Sequence, residues 1–215
     1  TPSVVDDTAS KEATSATNTQ VEGVDEGDLV DTDGRRVWTL TGNALRTVDL
    51  ETGKLLSTIA LGSRWSDSQL MLDGDRLLVL SGEGTDDGDT STVVAVYDVT
   101  GDTPREIGRE HLEGRLVASR AVNGQARLVM ETAAGSRLPF VMPSGGSDSE
   151  AKALSANKAV INSSSIGDWL PRRYSDSARS AISPAVACSS IGRPEEFSGL
   201  GFTWVATVDM HASSP

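Results

Sequence analysis

Three segments of the chain repeat one short pattern, and that pattern leaves the backbone few ways to fold. They are Asp33-Gly-Arg-Arg-Val-Trp-Thr-Leu40, Asp73-Gly-Asp-Arg-Leu-Leu-Val-Leu80 and Asn123-Gly-Gln-Ala-Arg-Leu-Val-Met130. Each begins with Asp-Gly or Asn-Gly, residue pairs that tolerate the positive φ of a tight hairpin turn, and each runs into a short strand of β-branched and apolar residues. A second pattern recurs in Thr47-Val-Asp-Leu50, Val96-Tyr-Asp-Val99 and Thr207-Val-Asp-Met210. There an Asp closes a strand and opens the next turn, as in Asp49-Leu-Glu-Thr-Gly53 and Asp98-Val-Thr-Gly101.

The spacing of these units sets the architecture. Turn to turn is 40 residues and then 50, and Asp49 to Asp98 is 49. A period of 40–50 residues holding about four strands is that of propeller blades. No long stretch carries apolar residues at helical spacing. The fold expected is all-β: about two and a half to three four-stranded antiparallel blades of a β-propeller. Strands are predicted near 28–31, 36–41, 44–49 and 54–61, then near 69–72, 76–81, 92–98 and 105–112. A third group starts near 115–122 and 126–131, is interrupted by an insertion over 132–200, and resumes at 202–209. A short helix is expected within the insertion, over Ser149–Ile161. Residues 1–17 are polar and aperiodic and are expected to form a disordered acidic lead-in, with the propeller domain over 18–215.

The run Asn18-Thr-Gln-Val-Glu-Gly-Val-Asp-Glu-Gly-Asp-Leu-Val-Asp-Thr-Asp-Gly34 resembles the opening signature of a family of secreted bacterial and archaeal β-propeller domains, distantly WD-repeat-like. Asp168-Trp-Leu-Pro-Arg-Arg-Tyr174, Cys188, Arg193-Pro-Glu-Glu-Phe-Ser-Gly-Leu-Gly201 and Val208-Asp-Met210 resemble its actinobacterial branch. The resemblance implies an exported or envelope-associated propeller that continues beyond the third blade, so the chain is expected to be an incomplete one. It implies no common reaction and no common catalytic residue.

Charge narrows the partners. The chain carries −12, and residues 1–33 hold nine carboxylates against Lys11, a net of −8. Such a surface repels phosphate backbones and anionic membranes, so nucleic acid is not expected as a partner. No apolar run reaches the length of a membrane span. One cysteine, Cys188, and two histidines, His111 and His211, cannot build a disulfide framework or a four-ligand zinc site. Cys188 is expected to be a small buried thiol and both histidines to be exposed. No GxSxG elbow is present, since Ser198 lacks the preceding glycine. Gly82-Glu-Gly84 has no following helix and two nearby carboxylates, which rules out a phosphate loop.

No catalytic residue and no resident cofactor are therefore expected. Calcium is the one ion the sequence could accommodate, at the hairpin tip carrying Asp86, Asp87 and Asp89. The acidic stretch Glu22, Asp25, Glu26, Asp28, Asp31, Asp33 does not follow an EF-hand spacing, and its carboxylates are expected to cap turns. Trp169, Arg172, Arg173 and Tyr174 interleave aromatic rings and guanidinium groups, the side chains that anchor interfaces. They are the best candidate contact patch, against the favoured reading that Trp169 packs the insertion onto the propeller face with Pro171 setting a turn. The function expected is a non-enzymatic binding scaffold, extracellular or on the cell envelope, that meets a protein or a glycan. The alternative is an exported hydrolase or oxidoreductase whose site lies in blades outside this chain.

Overall fold

The computed structural model describes residues 24–61, 65–84, 90–175, 182–197 and 199–212. Its described part begins with β1 (Asp25–Glu26), and β2 (Val30–Thr32), β3 (Arg36–Thr41), β4 (Ala44–Asp49) and β5 (Leu55–Ala60) then form a first antiparallel sheet in chain order. A middle sheet follows from β6 (Trp65–Asp73), β7 (Arg76–Gly84), β8 (Thr90–Asp98) and β9 (Arg105–Glu113). The third sheet takes β10 (Arg115–Val122) and β11 (Gln125–Ala133). Between β11 and the next strand of that sheet lie helix α1 (Ser147–Ser163), β12 (Arg172–Tyr174) and β13 (Ser183–Pro184). The chain then returns as β14 (Gly201–Asp209), which pairs with β11 over nine residues from Gln125↔Asp209 to Ala133↔Gly201. β12 and β13 extend the middle sheet beyond β9, and β1 covers the other edge of the third sheet at β10.

Burial patterns follow from how many faces of a sheet are covered. Along β3, Arg36, Trp38 and Leu40 are buried while Val37 and Thr39 between them are only half-buried. Along β7, Leu77, Leu78, Val79 and Leu80 are all buried, because the middle sheet is covered on both faces. Leu77, Val79, Ala95 and Tyr97 pack against Trp38, Leu40 and Leu45 of the first sheet. Leu78, Leu80, Val94 and Val96 pack against Leu128, Met130, Trp204 and Val208 of the third.

The three turns differ in one respect that the repeat conceals. In the first two the hairpin turns on Gly34-Arg35 and Gly74-Asp75, and only the glycine has positive φ, 82° and 60°. In the third, Asn123 and Gly124 both do, at 50° and 73°. The central pair has therefore moved back by one residue, which brings Val122 opposite Gln125. A slip of one residue sends every following side chain to the opposite face. Arg127 thus takes the place of Trp38 and Leu78, while Leu128 and Met130 face back onto the middle sheet.

Within the acidic stretch, described residues 25–32 form a strap across the three sheets. β1 pairs with β10 of the third sheet, Asp28 bridges Leu70 of the middle sheet through two backbone bonds of 3.1 and 2.7 Å, and β2 pairs with β3 of the first. Asp31 Oδ2 accepts a bond from the Leu72 amide at 2.9 Å. At Gly27 any Cβ would collide with Gln69 Oε1 and Ser119 Oγ, and Ser119 donates to that oxygen at 2.7 Å to tie β10 to β6. Only Asp33 caps a turn as expected, accepting from the Arg35 and Arg36 amides. Glu22 lies outside the described residues. The turn aspartates act as the sequence implies: Asp49 Oδ1 accepts from the Thr52 amide and hydroxyl, and Asp98 Oδ1 from those of Thr100.

Two predictions follow from the strap. Gly27→Ala must displace the Gln69–Ser119 bond, and it is expected to cost about 1–3 kcal/mol, seen as a lower denaturation midpoint at unchanged slope. Burial pushes the Asp31 carboxyl up from 3.8 to about 6, helped by the charges of Asp25 and Asp28 and opposed by the Thr32 and Leu72 amides. A raised acid favours the fold below its unfolded value, and that contribution is lost as pH rises through about 6. The midpoint difference between wild type and Asp31→Asn is expected to shift against the wild type as pH rises from 3.8 to 6.

Candidate functional site

Several ionisable side chains gather where the chain between β11 and β14 meets the outer edge of the middle sheet. Its centre is Glu113 at the end of β9, whose side chain is 8% exposed. Arg137 donates to one carboxylate oxygen, and the Arg172 amide donates to the other at 2.9 Å, with Arg172 Nε 3.4 Å away. Arg137 Nη2 also reaches the carbonyls of Asp168 and Leu170, both at 3.1 Å. One guanidinium therefore clamps the start of this segment and its 168–170 stretch to the sheet. A carboxylate this buried is tolerable only with such partners.

On β9 two residues further in, His111 is 4% exposed and stacks on Tyr174 of β12 with ring centroids 4.8 Å apart. Its Nδ1 lies 3.1 Å from Glu83 Oε2 on β7. On the other face Arg173 Nε donates to Glu110 Oε1 at 2.6 Å. Burial pushes the Glu110 carboxyl up, and Arg173 opposes that shift. Beside Glu83, a cavity of about 240 Å³ opens between the middle and third sheets, lined by Gln69, Gly82, Gly84, Ser91, Arg115 and Leu116 among others. Gly82 and Gly84, excluded as a phosphate loop, are here the small residues along its wall.

The four residues of the expected contact patch do not form one surface, since Arg173 faces away from Arg172 and Tyr174, and Trp169 packs elsewhere in the segment. Arg172 and Arg173 pair with Glu113 and Glu110, and Tyr174 covers His111. Trp169 packs at 6.1 Å from the Phe140 ring, and its indole donates to Ser164 Oγ at 2.8 Å. Its contacts are thus within the segment rather than on the sheet.

Two sequence expectations are corrected. His111 is buried, because β12 lays Tyr174 over it; His211 is exposed, with Nε2 2.7 Å from Asp73 Oδ2 of the β6–β7 turn. Cys188 is exposed, because it begins a single 3-10 turn that no strand covers. Asp86, Asp87, Asp89 and Ser198 lie outside the described residues. Among the described residues no three His, Cys, Asp or Glu side chains are grouped to hold a metal ion, and no helix is long and apolar enough to cross a membrane.

Sequence reasoning missed Glu83, Glu113 and Arg137. The one available signal was complementarity between Glu110-His-Leu-Glu113 and Arg172-Arg-Tyr174, two short runs of opposite sign with strand-like alternation. Around the ring pair the sequence context is uninformative, since no motif marks a histidine that will be stacked from a distant segment.

The clamp predicts a specific weakness. Arg137→Ala leaves Glu113 buried with half its partners and frees the Asp168 and Leu170 carbonyls. It is expected to cost about 3 kcal/mol in denaturant unfolding and to expose the 134–171 segment to limited proteolysis while the sheets stay resistant.

A family model described as a beta propeller domain matches residues 14–215. No curated protein and no solved structure matches the chain.

Proposed function

The chain belongs to the beta propeller domain family, and we propose that it serves as a binding scaffold, exported or held on the cell envelope, rather than as an enzyme. On this reading each sheet is one blade, and the stretch after β11 is an insertion in the third that displays a contact surface. The resemblance of Asp168-Trp-Leu-Pro-Arg-Arg-Tyr174 and its neighbours to the actinobacterial, secreted branch supports this reading.

The observation that carries the proposal is the division of labour within residues 134–200. Arg137, Arg172 and Arg173 tie this stretch to Glu113 and Glu110, whereas several of its large apolar side chains turn outward. Met142 is 82% and Phe197 83% exposed, and Leu154, Ile166 and Leu200 are exposed with them. A segment that spends ion pairs on being held rigid, and leaves its apolar groups in water, has the anatomy of a presented interface. Rigid sheets that carry long connections are the usual support for such surfaces.

The partner on this reading is a protein or glycan at the cell surface, with calcium at the Asp86, Asp87, Asp89 tip as the only ion proposed. The test uses the Met142→Asp, Phe197→Asp double variant, whose two positions are nearly solvent-exposed and do not support the fold. The wild-type chain is expected to sediment with envelopes of the producing cells and the variant to stay in the supernatant. Equal sedimentation of the two would overturn the reading.

A further inference from the structure

Toward its end, β7 stops sending side chains to the third sheet. Leu78 and Leu80 fill that interface, and the next two positions on the same face are Gly82 and Gly84. Thr90 of β8 pairs with Gly84, Gln69 of β6 stands beside them, and Arg115 and Leu116 of β10 lie across the gap. Together they bound the cavity of about 240 Å³. Its width is fixed on both flanks. The Thr92 hydroxyl donates to the Gly114 carbonyl at 3.0 Å, and the Ser119 hydroxyl to Gln69 Oε1 at 2.7 Å. Both walls are sheets of this chain that already pack together, so the cavity does not depend on what meets their outer faces.

The backbone does not call for either glycine, since neither has positive φ. At Gly84 packing does not call for one either, because an added Cβ would meet no atom within 4 Å. Glycine within a strand costs about 0.5–1 kcal/mol relative to alanine, and one recurrent use of it is to let a ligand approach the backbone. The rim supplies the polar groups. Arg115 meets Glu131 at 2.5 Å through Nη2, with the two side chains 62% and 55% exposed. Such a surface pair holds its partners weakly. Glu83 turns its carboxylate to His111 on the other face of the sheet.

This set of groups selects a ligand class. A carboxylate or phosphate beside Arg115 would also face Glu131, and an ammonium group would face Arg115. A hydroxyl both donates and accepts, so it suits a guanidinium and a carboxylate side by side. Leu116 is the one large apolar side chain on the walls, which argues against a wholly apolar ring. The volume exceeds the ~150 Å³ that holds a benzene ring, which leaves room for one six-membered ring with its hydroxyls. We propose that the cavity seats one neutral sugar ring at the end of a glycan. Its hydroxyls meet Arg115, Gln69 and Thr90, and one face of the ring lies on the bare backbone of Gly82 and Gly84. The site uses no side chain of the 134–200 segment and stands whether or not that segment binds a partner.

The experiment is saturation-transfer NMR of the full chain with methyl β-glucoside, methyl β-galactoside and methyl α-mannoside. Free glucose, glucuronate and glucosamine serve as comparisons. At least one methyl glycoside is expected to receive saturation, and more of it than either charged sugar. Gly84→Val fills the cavity with a side chain suited to a strand, and it is expected to abolish the signal at unchanged melting temperature. Arg115→Ala breaks only an exposed pair and is expected to abolish it too, which keeps the test open should Gly84→Val fold poorly. The Met142→Asp, Phe197→Asp variant is expected to bind the sugar as the wild type does, so failure of that surface and failure of this site are read separately. Silence from all three methyl glycosides would overturn the proposal, as would a signal that survives in Arg115→Ala. Preferential binding of glucuronate or glucosamine would overturn it by making the ligand charged. Binding of free glucose without any methyl glycoside would overturn it by excluding the end of a glycan.

Discussion

Residues 25–32 pair in turn with the third, middle and first sheets, and almost every other feature of the molecule is arranged around that crossing. Two residues of β1 lie on β10, Asp28 exchanges both backbone bonds with Leu70, and three residues of β2 lie on β3. A short acidic strand gains little from packing, so the crossing depends on backbone bonds and on room for them. Gly27 provides that room above the Gln69–Ser119 bond. Asp31 shows the cost: its carboxyl is buried to reach the Leu72 amide, and its charge is disfavoured there.

With three sheets tied at one edge, their faces must meet, and the apolar residues are distributed accordingly. The middle sheet is apolar on both faces, and the first is buried on one. The third achieves the same by slipping its hairpin one residue, so that Leu128 and Met130 turn back to the middle sheet. The slip also sends Arg127 outward. A single change of turn conformation at Asn123 thus decides how the second interface is filled and which side chains the third sheet turns away from it.

Much of this was legible in the sequence, for reasons tied to particular residues. Strand positions followed from Gly and Asp punctuation, and β3, β4 and β10 lie where the alternation puts them. The 149–161 helix was foreseen and runs one turn longer in total, over Ser147–Ser163. The acidic stretch misled because carboxylates in water and carboxylates accepting backbone bonds look alike in a sequence. His111 misled because its cover, Tyr174, is 63 residues away and carries no motif. Cys188 misled because thiols are usually buried, and here the chain around it touches little. The register slip was invisible, since Asp-Gly and Asn-Gly both signal a turn but do not say which two residues form its tip.

The scaffold and the surfaces it carries depend on the strap opening only when the whole molecule unfolds. Native-state hydrogen exchange measures this directly, through the amides of Asp28, Leu70, Leu40 and Leu72, which bond to Leu70, Asp28, Leu29 and Asp31 respectively. If the strap binds the three sheets into one unit, these four amides exchange with the same free energy as the amides of β7 and β8 at the centre. Rapid exchange at those four positions while β7 and β8 remain protected would contradict the account, because the sheets would then hold together without the crossing.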